Sequence, residues 1–274
     1  MQDGQLDLFA SAGIRPKPAP IAPAQREAPP AADLTDAALI AAIPTATLAH
    51  CRALAGEAAR RKLVAAVPAL EVLCRRFKGF GLHHAVPEQT ASLEALAAIG
   101  GAQAVAAIRG IVAGGVVAAP GQRDAVRAAA ALRCILPEQI TAALLRHDDP
   151  EIRAQACRCA PNSAPIAALL GSLLDDLNPG VAAAAAKALG GMGRVEARPW
   201  LTRLLRQSPD AEQVEAVISV ADDECVVLLG RIAREHPALR DAALAALEAI
   251  DTPRAAAILS RAIGSAKEGQ GLRP

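Results

Sequence analysis

The sequence predicts an all-α fold: a right-handed α-solenoid of stacked helix pairs behind a disordered N-terminal arm. Three observations predict it. Hydrophobic residues make up 53% of the 274 residues but aromatics only 1%. The core must then be built from Ala, Leu, Ile and Val, and alanine is both the best helix former and small enough for close helix approach. Strict apolar–polar alternation, the signature of a half-buried strand, is not visible. From Pro120 a proline precedes each Ala-rich stretch, at Pro120, Pro150, Pro179, Pro209 and Pro237, with a looser copy at Pro87. A period of about 30 residues marks a repeat array, in which one unit cannot bury its apolar face alone and stacked units bury a continuous core.

The segments follow in order. Residues 1–9 carry a short apolar peptide, Gln5-Leu6-Asp7-Leu8-Phe9. Residues 10–32 are rich in Pro and Ala, offer few large apolar side chains to bury, and are predicted to be a disordered linker. Residues 33–84 are helical but off the period. Asp33 or Thr35 can cap a first helix, and two further helices split at Val67-Pro68. They are predicted to cap the solenoid, as terminal repeats must. Residues 85–265 hold the repeats, each a proline-led amphipathic run, a break and a second apolar run, read as two helices of about three turns each. Asp149-Pro150, Asn178-Pro179 and Ser208-Pro209 place a capping oxygen before a proline whose φ is already helical. Pro137, Pro165 and Pro253 open second helices in the same way, and Gly190, Gly191 and Gly193 can close one through a left-handed residue. Residues 266–274 are expected to be a disordered tail.

The repeats resemble HEAT repeats. The family pattern of a proline, an aliphatic residue and often Arg, followed by alanines and a Leu, reads here as Pro150-Glu151-Ile152-Arg153 and Pro237-Ala238-Leu239-Arg240, with Ala242, Ala243 and Leu247 after the second. The resemblance spans roughly residues 87–265 and implies an α-solenoid. It leaves function open, because function belongs to sites and not to folds.

Little in the chain suggests catalysis, and no cofactor or metal is expected. Cys51, Cys74, Cys134, Cys157, Cys159 and Cys225 are spaced neither as a disulfide framework nor as a zinc site, and they read as small buried hydrophobes. His50, His83, His84, His147 and His236 form no ligand spacing. Three groups of enzymes resembling HEAT proteins give alternatives. Iron-dependent hydroxylases need repeated His-Glu dyads, and only the reversed Glu235-His236 occurs. DNA glycosylases would need more than the lone Trp200. Bilin lyases are not selected by any motif. The competing function is therefore a HEAT-like enzyme of the glycosylase or bilin lyase type, or a general interaction scaffold.

Charge is more informative. The chain as a whole carries +1, yet between His50 and His84 seven bases face two acids. Arg60, Arg61, Lys62, Arg75, Arg76 and Lys78 are candidate contacts for phosphates or an acidic partner, with Phe77 and Phe80 interleaved. The bland alternative is a helix end whose bases complement the dipole. Arg203, Arg231 and Arg261 recur at the repeat spacing along the second helices and predict a ladder on one surface, either lining a groove for an acidic peptide or phosphates or, the favoured reading, pairing with neighbouring acids on a solvated face. The polar first residues predict no secretory leader. No window approaches the roughly 20 apolar residues of a membrane span. The expected location is cytoplasmic, with no membrane partner.

The N-terminal peptide carries the most specific signal. Gln5-Leu6-Asp7-Leu8-Phe9 resembles the pentapeptide by which bacterial replication and repair proteins bind the β sliding clamp, and all five positions match. By that resemblance Gln5 occupies a polar subsite, Leu8 and Phe9 fill a hydrophobic cleft, and Leu6 and Asp7 set the shape. The sequence reading is thus a non-enzymatic adaptor in replication or repair. Its arm holds the clamp, while its solenoid binds a protein partner or touches DNA.

Overall fold

The computed structural model describes residues 30–270. The peptide Gln5–Phe9, nearly all of the linker expected over 10–32, and the last four residues lie outside them. Among the described residues the chain is a right-handed α-solenoid of fifteen helices. After α1 (Asp36–Ala42) come α2 (Cys51–Arg60) and α3 (Val67–Arg76), then α4 (Pro87–Ile99) and α5 (Gly101–Ala113), α6 (Ala119–Ala131) and α7 (Glu138–Leu145), and α8 (Pro150–Cys157) and α9 (Ala164–Ser172). The stack continues with α10 (Pro179–Gly191) and α11 (Arg198–Gln207), α12 (Ala211–Val217) and α13 (Asp223–Glu235), and α14 (Arg240–Ile250) and α15 (Pro253–Gln270). The first helices form one layer, from α2 through α4, α6, α8, α10 and α12 to α14, each packed on the next. The second helices form the other layer, with α3 on α5, α7 on α9, and α11, α13 and α15 in succession. The pair α2/α3 stacks directly on α4, and α15 runs into the stretch expected as a tail.

Local chemistry explains the helix starts. Thr35 caps α1 by accepting from the Ala38 N–H. Asp149 and Asn178 accept from the first N–H groups of α8 and α10, with Pro150 and Pro179 at the first helical position. The expected cap Ser208-Pro209 is corrected: Ser208 closes α11, Pro209 stays outside the helix, and Asp210 caps α12. Asp210 and Gln213 form a reciprocal capping box there, which satisfies two orphan donors where a proline satisfies none. Pro137 likewise is the cap residue of α7 and not its first turn. Several helices are shorter than three turns. α7 and α8 have 8 residues each and α12 has 7, about two turns. α9 and α12 run on into 3-10 segments, Leu173–Asp175 and Ile218–Val220.

The core runs the length of the stack between the layers and is almost wholly aliphatic, with Leu70, Leu96, Ile108, Ile166, Leu170, Leu189 and Leu229 fully buried. All six cysteines are free and buried, as small hydrophobes. Cys159 lies beyond the end of α8, so helix geometry does not separate it from Cys157. Burial pushes the thiols of Cys74, Cys157 and Cys159 up to about 12, so none is a nucleophile at neutral pH. Gly190 does not end α10. It is buried against the Ala216 backbone of α12 and the Leu201 side chain, and Gly193 makes the left-handed turn (φ +74°). Gly56 is the opposite case, exposed in the middle of α2 with open space where a Cβ would stand. Gly56→Ala is expected to add about 0.5–1 kcal/mol through helix propensity alone, read as a higher urea midpoint at unchanged m-value.

Candidate functional site

Two ion pairs reveal the curvature of the first-helix layer. Arg133, in the turn after α6, holds Glu215 of α12 through both guanidinium nitrogens, 2.9 Å each. Yet α8 and α10 lie between them in the stack. In a flat layer, three steps of about 8–10 Å would separate α6 from α12, beyond the combined reach of the two side chains. Arg158, closing α8, likewise skips α10 to reach Glu212 at 2.6 Å. The layer is therefore concave, and its wall from α6 to α12 encloses a groove of about 590 Å³, within the size range of ligand pockets.

Alanines make the floor of that groove, among them Ala130, Ala160, Ala184 and Ala216, all buried. Met192 and the exposed Ile135 flank it. Small side chains let the helices converge here, and they leave the space open. The rim is charged. Lys187 of α10 reaches Glu212 at 2.8 Å and Asp210 at 3.3 Å, completing three cations against three acids. Burial pushes the Glu212 carboxyl up, but hydrogen bonds from Lys187 and Arg158 outweigh it and hold it below the usual carboxylate range. The hydrogen bond from Arg133 holds Glu215 below that range too. Both glutamates are therefore carboxylates at neutral pH.

The position of Arg133 is unusual for an arginine. Three first helices close in the same way, with the N–H groups of two successive residues turned back on the last turn: Lys62 and Leu63 after α2, Arg133 and Cys134 after α6, and Gly193 and Arg194 after α10. The first residue of each is left-handed, at φ +54°, +47° and +74°. Glycine takes that conformation freely, whereas a side chain there costs about 1–2 kcal/mol. Arg133 occupies a glycine position and points across the groove.

The basic positions singled out in the sequence lie elsewhere and mostly serve the solenoid itself. Arg60 and Arg61 both bind Glu57, whose carboxyl is held at about 2 mainly by hydrogen bonds from Arg60 and then Arg61. Arg61 also donates to Asp36 and to the carbonyls of Ala32 and Leu34, fastening the chain entry onto α2. Lys62 donates to the Ala98 carbonyl, and Arg75 to Glu71. Arg76 donates to the carbonyls of Pro44 and Ala46 and lies 4.9 Å over the Phe77 ring. Phe77 packs on the core beyond the end of α3, and Phe80 meets it edge-on at 6.0 Å, with Gly79 and Gly81 left-handed beside them. Lys78 is exposed in the same turn. Arg203, Arg231 and Arg261 are all exposed on successive second helices, α11, α13 and α15. Arg203 lies 5.1 Å over the half-buried Trp200. Arg133, Arg158 and Lys187 are not among the positions that the sequence singled out. The one legible signal was the arginine standing after α6 where the α10 turn has glycine.

No curated protein matches the chain. Residues 137–221, from α7 to the turn before α13, match the family model for HEAT repeats, which generally mediate protein interactions, so most of the groove lies in a stretch similar to those repeats.

Proposed function

We propose that this protein is a non-enzymatic adaptor: the solenoid binds a protein segment in its concave groove, and the arm tethers the molecule to a bacterial β sliding clamp. The observation that carries the scaffold reading is the groove, an open alanine floor under a charged rim. A floor of this kind suits an extended or helical segment laid along stacked repeats. The clamp reading rests on the five matching residues Gln5, Leu6, Asp7, Leu8 and Phe9. A role in replication or repair follows from the clamp alone. A single pentapeptide binds modestly, so a partner in the groove would raise occupancy through effective concentration. DNA contact through the basic N-terminal positions is the weaker arm of the proposal, since most of those side chains are already engaged within the solenoid.

The test is co-elution of the purified full chain with a sliding clamp. Leu8→Ala with Phe9→Ala is expected to weaken binding about 30-fold or more, because two anchor side chains are lost. The solenoid should keep its thermal midpoint. Equal binding by the variant, or none by the wild type, would remove the clamp from the reading.

A further inference from the structure

The groove holds a set of cations already arranged to receive carboxylates, with the chain's own carboxylates resting on them. We propose that the groove takes an acidic segment of a partner protein, whose carboxylates replace those of Glu212 and Glu215 on Arg133, Arg158 and Lys187. This rests on the reading of the groove as a protein-binding surface. The cations come from three successive units, the turn after α6, the end of α8, and α10, so a segment lying along the groove meets one in each unit. The acids come from α12 and its cap alone.

The exchange is asymmetric in energy. Arg133 and Glu215 are 67% and 60% exposed, and Arg158 and Glu212 are 42% and 39% exposed. Exposed pairs of this kind contribute little, so opening them costs little. If an acidic segment enters, the two glutamates of α12 swing to water and the cations stay paired. If a basic segment took the glutamates instead, Lys187, only 19% exposed, would lose Glu212 and be left with the longer Asp210 contact in a half-buried place, and that is costly. The Arg133 fork also favours a planar carboxylate, which it already grips with two parallel bonds. Its strained backbone points the same way, because glycine would close the turn more cheaply. The alanine floor, with Ile135 and Met192 beside it, selects for apolar side chains between the carboxylates.

Fluorescence anisotropy on the full chain tests this with two labelled probes, an amphipathic Glu/Leu/Ala peptide and its Lys-for-Glu counterpart. The acidic probe is expected to bind, and to bind about tenfold more tightly to E212Q/E215Q, where the competing carboxylates are gone. R133Q/R158Q should weaken it about tenfold, and added salt should weaken it in every variant. Both double variants should fold, since the arginine pairs are exposed and Lys187 keeps Asp210 at 3.3 Å, and circular dichroism checks that. If R133Q/R158Q does not fold, the tightening in E212Q/E215Q decides alone. Acidic-probe affinity unchanged by E212Q/E215Q overturns the proposal. Binding of the Lys probe that is lost in E212Q/E215Q overturns the acidic partner and leaves the groove reading standing. Binding of neither probe overturns both, and clamp binding through Leu8 and Phe9 is unaffected by any of these outcomes.

Discussion

Leu189→Ala is expected to cost about 3–5 kcal/mol, the upper part of the range for a buried leucine truncation. Leu189 is fully buried in α10, the helix that packs on α8, α9, α11 and α12 together. The walls of the resulting cavity belong to both layers, so they collapse poorly. In a stack where each unit is held by its neighbours, a weak joint in the middle loosens both halves. The next residue makes the complementary test. A Cβ on Gly190 would stand 2.5 Å from the Ala216 carbonyl oxygen and 2.5 Å from a Leu201 methyl. The methyl can swing aside, but the carbonyl belongs to the backbone of α12. Overpacking of about 1–3 kcal/mol therefore exceeds the roughly 1 kcal/mol of helix propensity that alanine brings. Urea denaturation should place Leu189→Ala lowest, Gly190→Ala below wild type, and Gly56→Ala above it. A Gly190→Ala protein as stable as Gly56→Ala would mean that α12 shifts freely on α10, and the groove walls would then not be fixed.

The contrast between Gly56 and Gly190 also marks how far the sequence could be read. The prolines and the Ala-rich composition act locally, on helix starts and close packing, and they gave the order of elements and the pairing of helices. Asp149-Pro150 and Asn178-Pro179 behave as their chemistry dictates. Ser208-Pro209 does not, because a stronger reciprocal cap, Asp210 with Gln213, stands two residues beyond Ser208. The groove could not be read in the same way. It depends on curvature, which accumulates over four units and brings Arg133 to Glu215 across 82 residues of chain. No local pattern encodes that meeting. The clusters that did stand out, Arg60 to Lys62 and Arg75 to Lys78, are dense because they close helix ends and bind carbonyls nearby. Charge density along a chain reports local fastening as readily as it reports a binding surface.

Arg153→Leu is expected to cost about 1–3 kcal/mol at neutral pH, and to do so through hydrogen bonds and not through packing. Arg153 grips Asp176 with two nitrogens at 2.9 and 3.0 Å, and donates to the carbonyls of His147 and Asp148 at 2.8 and 2.9 Å. One side chain thus ties α8 to the turn before it and to the turn after α9. Asp176 is only 8% exposed, and without Arg153 it keeps the Asn178 N–H as a donor. The Arg153 hydrogen bond holds the Asp176 carboxyl below the usual aspartate range, against the opposing effect of burial. A depressed folded value means that the stabilisation is present above the unfolded aspartate pKa of about 3.9. It is lost as pH falls through the folded value. The stability gap between wild type and Arg153→Leu should therefore be full at pH 7 and narrow below about pH 4. Arg153→Lys should recover only part of it, since an ammonium cannot make the fork. A gap of the same size at pH 7 and pH 3 would show that the arginine stem and its packing matter instead. The outcome bears on the groove directly, because Arg158 closes the same short helix that Arg153 fastens. Loosening one end of α8 loosens the other, and a variant that loses the Asp176 fork should hold an acidic segment less tightly even though it retains every cation on the rim.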